Sequence, residues 1–398
     1  MNLSKHTFLA ISLATFTLLI NPCPAAEKKQ SREPEFHTVS PPNKEDNGLT
    51  QSSTVRFHSK LTNENYELEI ILPSQYGKKV KRYKTLYLLD GNNSSKLGEF
   101  MLNRLAGEID DLIIVGIGYS GKLASGPGDT ATQRWRDYPT PADSYWKVPI
   151  GQGAPQFYRT LSEEIIPYVD GHYMTDQSHR GLGGHSMGGF FTMWAMFHST
   201  GVFDRYWISS PSLVWDDGVL DREEKAYAAT HDDLDATVFA DAGELEDRDM
   251  NDGLRELGER LQAHGYRSLR WHQRFSPDLG HSGAMVESAP YAFYALYGTP
   301  VAKISSNRLR AFSGTYEVAQ GQRFSIMIDE SDAYLVNSSV EDFQIKRAKL
   351  LSTEDGNLIL RYVGLKFNAN AADVIDTISV QQEFEGAKRP ELIARRVK

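Results

Sequence analysis

A serine in a glycine-rich stretch is the residue of this sequence whose surroundings most clearly suggest chemistry. The segment Gly184–Gly188 is Gly-His-Ser-Met-Gly, which matches the Gly-x-Ser-x-Gly pattern of a nucleophilic serine on a sharp strand-to-helix turn. The pattern alone is weak, because it occurs by chance in roughly one chain in ten of this length at average glycine and serine usage. Here an apolar segment that can form a helix, Phe190–Phe197, follows at once, and Arg180–Gly184 can form the strand before it. We therefore expect Ser186 to be a nucleophile.

A serine hydroxyl is a weak nucleophile at neutral pH and needs a general base. With a turn of this kind, the base is expected late in the chain, in a loop after the last strand. His281 lies in such a loop, Leu279–Gly283, between a strand predicted for Ser268–Phe275 and a helix predicted for Tyr291–Tyr297. The other four histidines fit local roles better. His185 is the direct neighbour of the serine, and neighbouring side chains on a turn point apart. His198 and His264 lie at the ends of predicted helices, and His272 lies inside the predicted strand. We expect His281 to be the base.

A carboxylate must orient the histidine and stabilise its protonated form. Its expected place is between the serine and the histidine, in the loop after a strand. The strand predicted for Thr237–Ala242 is followed by a segment that contains several acidic residues. We expect the acid to be Glu246, three residues after Gly243, and three alternatives remain open: Glu244, Asp241 and Asp247.

Acyl transfer also needs two backbone N–H groups that stabilise the oxyanion of the tetrahedral intermediate. One is expected to be the N–H of Met187, directly after the serine. The other should follow the strand predicted for Thr85–Asp90, and we expect it to be the N–H of Asn92, with Gly91 as the alternative. The segment Asp90-Gly91-Asn92 can also be explained as a tight turn alone, and this explanation is compatible with a donor role for Asn92.

Features that could contact a substrate are few. The segment Trp135–Pro141 is aromatic and charged, and we expect Arg136 to bind substrate from it, together with Trp215. Packing and a local ion pair explain these residues equally well. There is no His-Glu-x-x-His segment and no clustered spacing of histidines and carboxylates, so we predict no metal and no cofactor.

The elements that must position these residues alternate between strands and helices. The segments Thr85–Asp90 and Leu112–Gly118 are nearly continuous apolar runs, which is typical of strands buried on both faces of a parallel sheet. Two alternating segments before them, Thr54–Ser59 and Tyr66–Pro73, predict an antiparallel hairpin. The pattern predicts an α/β-hydrolase fold with a mostly parallel, doubly wound sheet. No nucleotide-binding Gly-x-Gly-x-x-Gly opens a helix after the first strand.

The pattern changes near residue 303. From Leu309 onward the chain consists of short alternating segments separated by turn residues such as Asp355-Gly356-Asn357, which predicts an all-β region. We therefore expect the α/β-hydrolase domain to span residues 48–302 and a small accessory β domain to span residues 303–398.

The N-terminal residues have the features of an export signal. Lys5 precedes an uncharged apolar segment, and small residues at Ala25 and Ala26 form a plausible cleavage point. We predict a signal peptide over residues 1–25, a polar linker over residues 26–47 and a periplasmic or secreted protein. The only cysteine, Cys23, lies in the predicted signal peptide, so the exported chain would have no disulfide.

The charge of the chain argues against some partners. Its 398 residues carry a net charge of −9. A negative charge of this size disfavours binding to nucleic acid and to anionic lipid, which are both negatively charged. We predict no nucleic-acid partner, no membrane-spanning segment after signal cleavage and a small-molecule ester as substrate.

Several of these segments together resemble the "putative esterase" family of α/β hydrolases, which includes siderophore trilactone esterases, feruloyl and acetyl esterases and mycolyltransferases. The resemblance covers about Phe57 to Tyr297, and SPSLVW is similar to the SPSLWW of siderophore-esterase-like members. The matching segments are LYLLDGN (Leu86–Asn92), GGHSMGGFF (Gly183–Phe191), SPSLVW (Ser210–Trp215), AGELE (Ala242–Glu246) and GHS (Gly280–Ser282).

The resemblance implies hydrolysis of a carboxylic ester or lactone through an acyl-enzyme on Ser186. It implies that Ser186, Glu246 and His281 form the catalytic triad and that Asn92 and Met187 stabilise the oxyanion. A bulky substrate such as a catecholate siderophore trilactone is the favoured hypothesis. An acyltransferase and a non-catalytic binding protein of the same fold remain the alternatives.

Overall fold

A nine-stranded sheet forms the centre of the chain before residue 280. Its strands lie in the order β1-β2-β3-β5-β4-β6-β7-β8-β9. The first three strands are antiparallel to their neighbours, and the remaining six are parallel to one another. The strands are β1 Phe36–Ser40, β2 Gln51–His58, β3 Asn65–Leu72, β4 Tyr83–Leu89, β5 Leu112–Tyr119, β6 Thr175–His185, β7 Arg205–Ser209, β8 Thr237–Gly243 and β9 Arg270–Ser276.

The computed structural model describes residues 34–41, 50–78, 80–119, 129–140, 153–198, 201–370, 374–384 and 387–397. The predicted signal peptide and residues 26–33 and 42–49 of the predicted linker lie outside the described residues.

Helices cover both faces of this sheet and carry the chain between its strands. The helix α3 continues through one π-helical turn, Leu161–Ile165, into α4. The helices are α1 Gly91–Arg104, α2 Asp129–Asp137, α3 Gly153–Thr160, α4 Ile166–His172, α5 Met187–His198, α6 Val219–Ala228, α7 Arg248–His264, α8 His281–Tyr297 and α9 Ser306–Ala311.

The apolar segments of the sequence become the centre of the sheet. All eight residues of β5 are buried, and so are six of the seven residues of β4. A strand that is covered by helices on both faces must be apolar on both faces, because every second side chain points to the same side. The helix that follows Ser186, α5, is likewise buried over eleven of its twelve residues. This arrangement explains why these segments show runs rather than alternation.

Part of the predicted linker is a strand. Phe36 at the start of β1 stacks on Tyr168 at 3.8 Å and on Phe57 at 4.6 Å between ring centroids, and β1 pairs with β2 at the edge of the sheet. One aromatic side chain thus holds a segment whose composition otherwise predicts a flexible chain. The prediction of a structureless linker is wrong for Phe36–Ser40.

The C-terminal strands form a closed antiparallel barrel. Eight strands follow in the order β15-β14-β13-β12-β11-β10-β18-β16, and a pairing between β15 and β16 closes the ring. The strands are β10 Gly314–Ala319, β11 Gln322–Asp329, β12 Asp332–Val336, β13 Arg347–Ser352, β14 Leu358–Leu360, β15 Leu365–Asn368, β16 Thr377–Phe384, β17 Ala387–Lys388 and β18 Leu392–Arg396.

Side chains fill the barrel interior. Its aromatic centre is a cluster in which Phe324 lies 5.5 Å from Tyr316 and 5.6 Å from Phe367 between ring centroids. The core of the barrel also includes Leu309 of α9, so α9 belongs to this region. A closed ring leaves no unpaired strand edge among the eight strands, which removes a site of aggregation.

The barrel packs against the C-terminal half of α8. The Arg361 guanidinium lies 4.4 Å from the ring centroid of Tyr294, Arg270 pairs with Glu354 at 2.9 Å, and Val301 forms a bridge with Thr353. These contacts lie at the opposite end of α8 from its first residue, His281.

The predicted mostly parallel α/β sheet with a small C-terminal all-β region is confirmed. Within the part of the chain that the structure describes, no helix is long and apolar enough to cross a membrane.

Candidate active site

Ser186 lies on a strained turn between β6 and α5. Its φ angle is 61°, a left-handed conformation that costs roughly 1–3 kcal/mol for a residue other than glycine. The Ser186 N–H donates to the Ser209 carbonyl at 3.0 Å, and its own carbonyl accepts from the Phe190 N–H at 2.9 Å. These bonds hold the turn, so the hydroxyl is presented at the carboxyl end of the central strand.

Glycines make this turn possible for a steric reason. A Cβ on Gly184 would lie 2.4 Å from the carbonyl oxygen of Gly188, and one on Gly189 would lie 2.6 Å from that of Ser209. No side chain tolerates such distances to backbone atoms, so the Gly-x-Ser-x-Gly-Gly segment is required by the close approach of strand and helix. The strand-turn-helix arrangement expected around Ser186 is present.

His281 is the first residue of α8 and not part of a loop ahead of a later helix. The helix predicted for Tyr291–Tyr297 begins ten residues earlier, at His281, so the expected loop over Leu279–Gly283 ends at Gly280. Here α8 continues through Pro290, with Ala284, Met285 and Ala289 buried along its length. Burial of this face compensates for the backbone hydrogen bond that proline removes. The imidazole is therefore anchored on a regular element.

Glu246 forms a hydrogen bond with His281. The imidazole Nδ1–H donates to Glu246 Oε2 at 2.6 Å, since a carboxylate can only accept. The other oxygen, Oε1, accepts from the Gly243 N–H at 2.6 Å and from Ser210 Oγ at 2.7 Å. Only 2% of the Glu246 side chain is exposed. With Nδ1 engaged as a donor, Nε2 of His281 is left to accept a proton.

The same contacts keep Glu246 ionised. Burial by itself raises the pKa of its carboxyl, but hydrogen bonds from His281, Ser210 and the Gly243 N–H outweigh burial and leave the pKa below its ordinary value. A carboxylate that stays charged at neutral pH can stabilise an imidazolium beside it.

The three alternative acids occupy other positions. Glu244 is exposed, and Asp247 accepts the N–H of Asp249 and caps α7. Asp241 is fully buried and accepts from Trp207 Nε1 and Ser209 Oγ, both at 2.9 Å. Of the four candidate acids, Glu246 is therefore the one that the structure brings to His281.

Asp241 has the environment of a buried structural acid. Burial raises the pKa of its carboxyl to about 6, although the bonds from Trp207 and Ser209 act in the opposite direction. Its position directly behind Ser209 places it next to the nucleophile turn, because β7 and β8 pair in parallel with Ser209 opposite Asp241.

Ser186 and His281 together line two neighbouring cavities. The first, of about 380 Å³, is mostly apolar, and its walls include Trp135, Val214, Trp215, Leu245 and Met250. The second, of about 480 Å³, has a more polar wall that includes Asn92, Asn93, Arg134 and His185. A substrate attacked at Ser186 can thus extend in two directions of different polarity.

Two helix N-termini border the cavities that Ser186 and His281 line. Met187 is the first residue of α5 and lines the first cavity, and Asn92 lies in the first turn of α1 and lines the second. The Asn92 side chain is held by the backbone of Tyr119, whose N–H donates to Oδ1 at 3.0 Å. Gly91 is buried, and a Cβ there would lie 2.4 Å from the backbone of Gly116. Both helix dipoles favour negative charge at this place.

A half-buried ion pair links the loop before α1 with the turn before α5. Asp90, in a left-handed conformation before α1, pairs with Arg134, whose Nε lies 2.6 Å from Asp90 Oδ1. An Arg134 N–H also donates to the His185 carbonyl at 3.3 Å. Arg134 thus connects the loop that holds Asn92 with the turn that holds Ser186. Sequence reasoning did not give Arg134 this role, because its partners lie 44 and 51 positions away.

Arg136 does not reach this site. Its guanidinium pairs with Asp137 at 2.7 Å and with Glu64 at 2.9 Å, and it packs over the Tyr66 ring. Its charge is therefore neutralised within the fold, which gives Arg136 a structural role where substrate contact had been expected. Trp215, by contrast, is 1% exposed and lines the apolar cavity, with its ring 5.4 Å from that of Trp135.

A comparison with known families identifies the segment that contains this site. The model of the family described as "Putative esterase" matches residues 59–276, more than half of the chain. The matched segment includes Ser186 and Glu246 and ends shortly before His281.

Curated proteins and a solved structure show the same similarity. The chain is 29% identical over 206 residues to the "Ferri-bacillibactin esterase BesA" of Bacillus subtilis, covering 47% of this chain and 70% of that protein. It is 34% identical over 140 residues to the "Apo-salmochelin esterase" of Escherichia coli, covering 33% of this chain and 42% of that protein. The crystal structure of the BES protein from Bacillus cereus has a TM-score of 0.55 and 25% identity, covering 62% of this chain and 94% of that one.

Proposed function

Because the chain belongs to the family described as "Putative esterase", we propose that it hydrolyses carboxylic esters or lactones through an acyl-enzyme on Ser186. His281 acts as the general base, and Glu246 orients it. The observation that carries this proposal is the hydrogen bond of 2.6 Å between Glu246 and His281 Nδ1, in a site that His281 shares with a serine of strained backbone.

The reaction begins when Ser186 Oγ attacks the acyl carbon and its proton passes to His281 Nε2. The bond between the acyl carbon and the alcohol oxygen then breaks, and His281 returns the proton to that oxygen. A water molecule attacks the acyl-enzyme in the same way, with its proton taken by His281. The carboxylic acid leaves, and Ser186 regains its hydrogen.

Negative charge develops on the carbonyl oxygen during both attacks. We assign its stabilisation to the N–H groups of Met187 and Asn92, at the first turns of α5 and α1. A preorganised donor of this kind is typically worth about 10²–10³ in rate. The Arg134–Asp90 pair holds the two donor loops at a fixed separation.

For the substrate, we propose a bulky ester or lactone with an aromatic group, such as a catecholate siderophore trilactone. The two curated relatives are named as esterases of bacillibactin and salmochelin, both of which are siderophores. The apolar cavity beside Ser186 is lined by Trp135, whose partly exposed ring is suited to stacking on a catechol, and by the buried Trp215 behind it. The other cavity has a more polar wall, which includes Asn92, Asn93 and the Arg134–Asp90 pair.

A panel of esters tests this substrate class. We expect kcat/KM to be highest for catecholate trilactones, compared with feruloyl esters, acetylated sugars and long-chain acyl esters, and Ser186→Ala serves as the blank. A preference for long acyl chains by about 100-fold, near 2.7 kcal/mol in transition-state binding, contradicts the siderophore-like substrate. That result would leave ester hydrolysis itself unaffected.

We also propose that the protein is exported to the periplasm or secreted, on the basis of the N-terminal residues of the sequence. N-terminal sequencing of the protein from its native host should find a chain that begins at Ala26 in the envelope fraction or the medium. A chain that begins at Met1 and stays in the cytosol contradicts export.

A further inference from the structure

His281 is held at few points despite its expected role. Its side chain is 43% exposed, and its neighbours Gly280 and Gly283 have no side chains to pack against the imidazole. Glu246 holds the Nδ1 edge of the ring. A hydrogen bond at one edge leaves rotation about that bond free, so a second contact is needed to define the plane of the ring.

The second contact comes from His185, the residue before the nucleophile. The two imidazole rings lie 4.4 Å apart between centroids and are tilted by 39°. His185 itself is fixed from behind, because its Nδ1 lies 3.5 Å from Ser209 Oγ. The Ser209 hydroxyl donates its hydrogen to Asp241 at 2.9 Å, so Nδ1 of His185 must carry the proton that it shares with Ser209.

The charged groups around His185 determine its ionisation. His281 and Glu246 face it across the site, the Arg134–Asp90 pair lies beside its backbone carbonyl, and Asp241 lies behind Ser209. Burial is the main effect, and with the charge of His281 it lowers the pKa of His185 to about 4, although Glu246 acts in the opposite direction. At neutral pH His185 is an uncharged ring.

We propose that His185 is a positioning residue for His281. Its neutral ring packs on the His281 imidazole and so sets the plane of that imidazole, and it keeps a second positive charge away when His281 takes the proton of Ser186. This inference rests on the proposed function, because it needs His281 to be the base. The sequence analysis excluded His185 as the base because neighbouring side chains on a turn point apart. In the structure the His185 side chain does point away from that of Ser186, and this direction places it against His281.

Three substitutions separate the ring, the hydrogen-bond donor and the charge of His185. His185→Phe keeps a flat neutral ring, and we expect its kcat to remain within about threefold of wild type. His185→Asn keeps a donor towards Ser209 but loses the ring face. We expect it to lose about tenfold in kcat with KM little changed, since small displacements of a catalytic group carry large rate costs.

His185→Lys places a fixed positive charge beside His281. We expect the acidic limb of the pH profile of kcat/KM to move to lower pH by about one unit, because a neighbouring cation disfavours a second protonation. This shift tests whether the side chain at position 185 lies beside His281, and the comparison of His185→Phe with His185→Asn tests the positioning role. The matched control is His198 at the far end of α5, which stacks on Trp194 at 4.2 Å. His198→Asn and His198→Lys should leave both kcat and the pH profile unchanged.

The inference is overturned if His185→Asn and His185→Lys keep the wild-type kcat and acidic limb. It is also overturned if His185→Phe loses as much kcat as His185→Asn, since the ring contact would then not matter. Thermal unfolding of each variant checks that it is folded. If His185→Lys does not fold, the kcat of His185→Phe compared with that of His185→Asn tests the inference. Failure of the proposed function is a distinct result, because Ser186→Ala would then retain hydrolysis.

Discussion

Replacement of Ser186 by alanine should lower kcat for a short p-nitrophenyl ester by about 10³-fold or more, because loss of the nucleophile leaves only binding and the oxyanion donors. The fold should remain intact. Alanine is smaller than serine and faces the same positive φ of 61°, so the strain of the turn is unchanged. Steady-state kinetics with active-site titration by a fluorophosphonate probe measure both hydrolysis and labelling.

The matched control for this variant is Ser212→Ala. Ser212 lines the same apolar cavity as Ser186, so its substitution alters the wall without touching the reaction. We expect Ser212→Ala to be labelled by the probe and to retain activity within a few-fold. Undiminished hydrolysis by Ser186→Ala would exclude the acyl-enzyme mechanism. A folded wild-type protein that never reacts with the probe would favour a binding protein instead.

Replacement of Glu246 by glutamine should lower kcat by about 10⁴-fold, which is the order of effect known when the orienting acid of such a triad becomes an amide. Glutamine can still accept from Ser210 and Gly243 through its carbonyl oxygen, and its NH₂ group then faces Nδ1 of His281. Nδ1 becomes an acceptor, and the imidazole hydrogen moves to Nε2. The base can then no longer take the proton of Ser186.

Glu244→Gln is the control for this effect. Glu244 lies two positions before Glu246 and is exposed, so the same chemical change there should leave kcat unchanged within about twofold. A large loss in Glu244→Gln together with normal activity in Glu246→Gln would contradict the role given to Glu246.

The pKa of Glu246 also predicts how pH affects stability. Its folded-state pKa lies below the ordinary value of 4.5, so the unfolded chain binds more protons here as the pH falls. The stabilisation is therefore present above about pH 4.5 and is lost as the pH decreases through the lowered pKa. We expect the difference in unfolding free energy between wild type and Glu246→Gln, measured with urea, to shrink over that window.

Local sequence determined the parts of this protein that depend on local geometry. The glycines around Ser186 are needed because backbone atoms of β6 and α5 approach within the radius of a Cβ, and that requirement can be recognised from five consecutive residues. The central strands could be recognised for a similar reason, since burial of β4 and β5 on both faces demands unbroken apolar segments.

Predictions failed where one long-range contact outweighed composition. Phe36 stacks on Tyr168 and turns a polar, proline-containing segment into an edge strand. Pro290 lies inside α8, where burial of the helix compensates for its missing N–H. In both cases the stabilising partner lies far from the residue in the chain, so no local pattern reveals it.

The site shows the same division between sequence and tertiary structure. The chain order of serine, acid and histidine followed from the sequence, which favoured Glu246 and left Glu244, Asp241 and Asp247 open, and the fold then brought Glu246 to His281. Arg134 and Arg136 are two positions apart on α2, and at 100° per residue they point about 200° apart. Arg134 therefore faces the site, whereas Arg136 pairs with Asp137 and Glu64. Types and spacing of residues identify the chemistry, whereas the direction of a side chain depends on packing between segments distant in sequence.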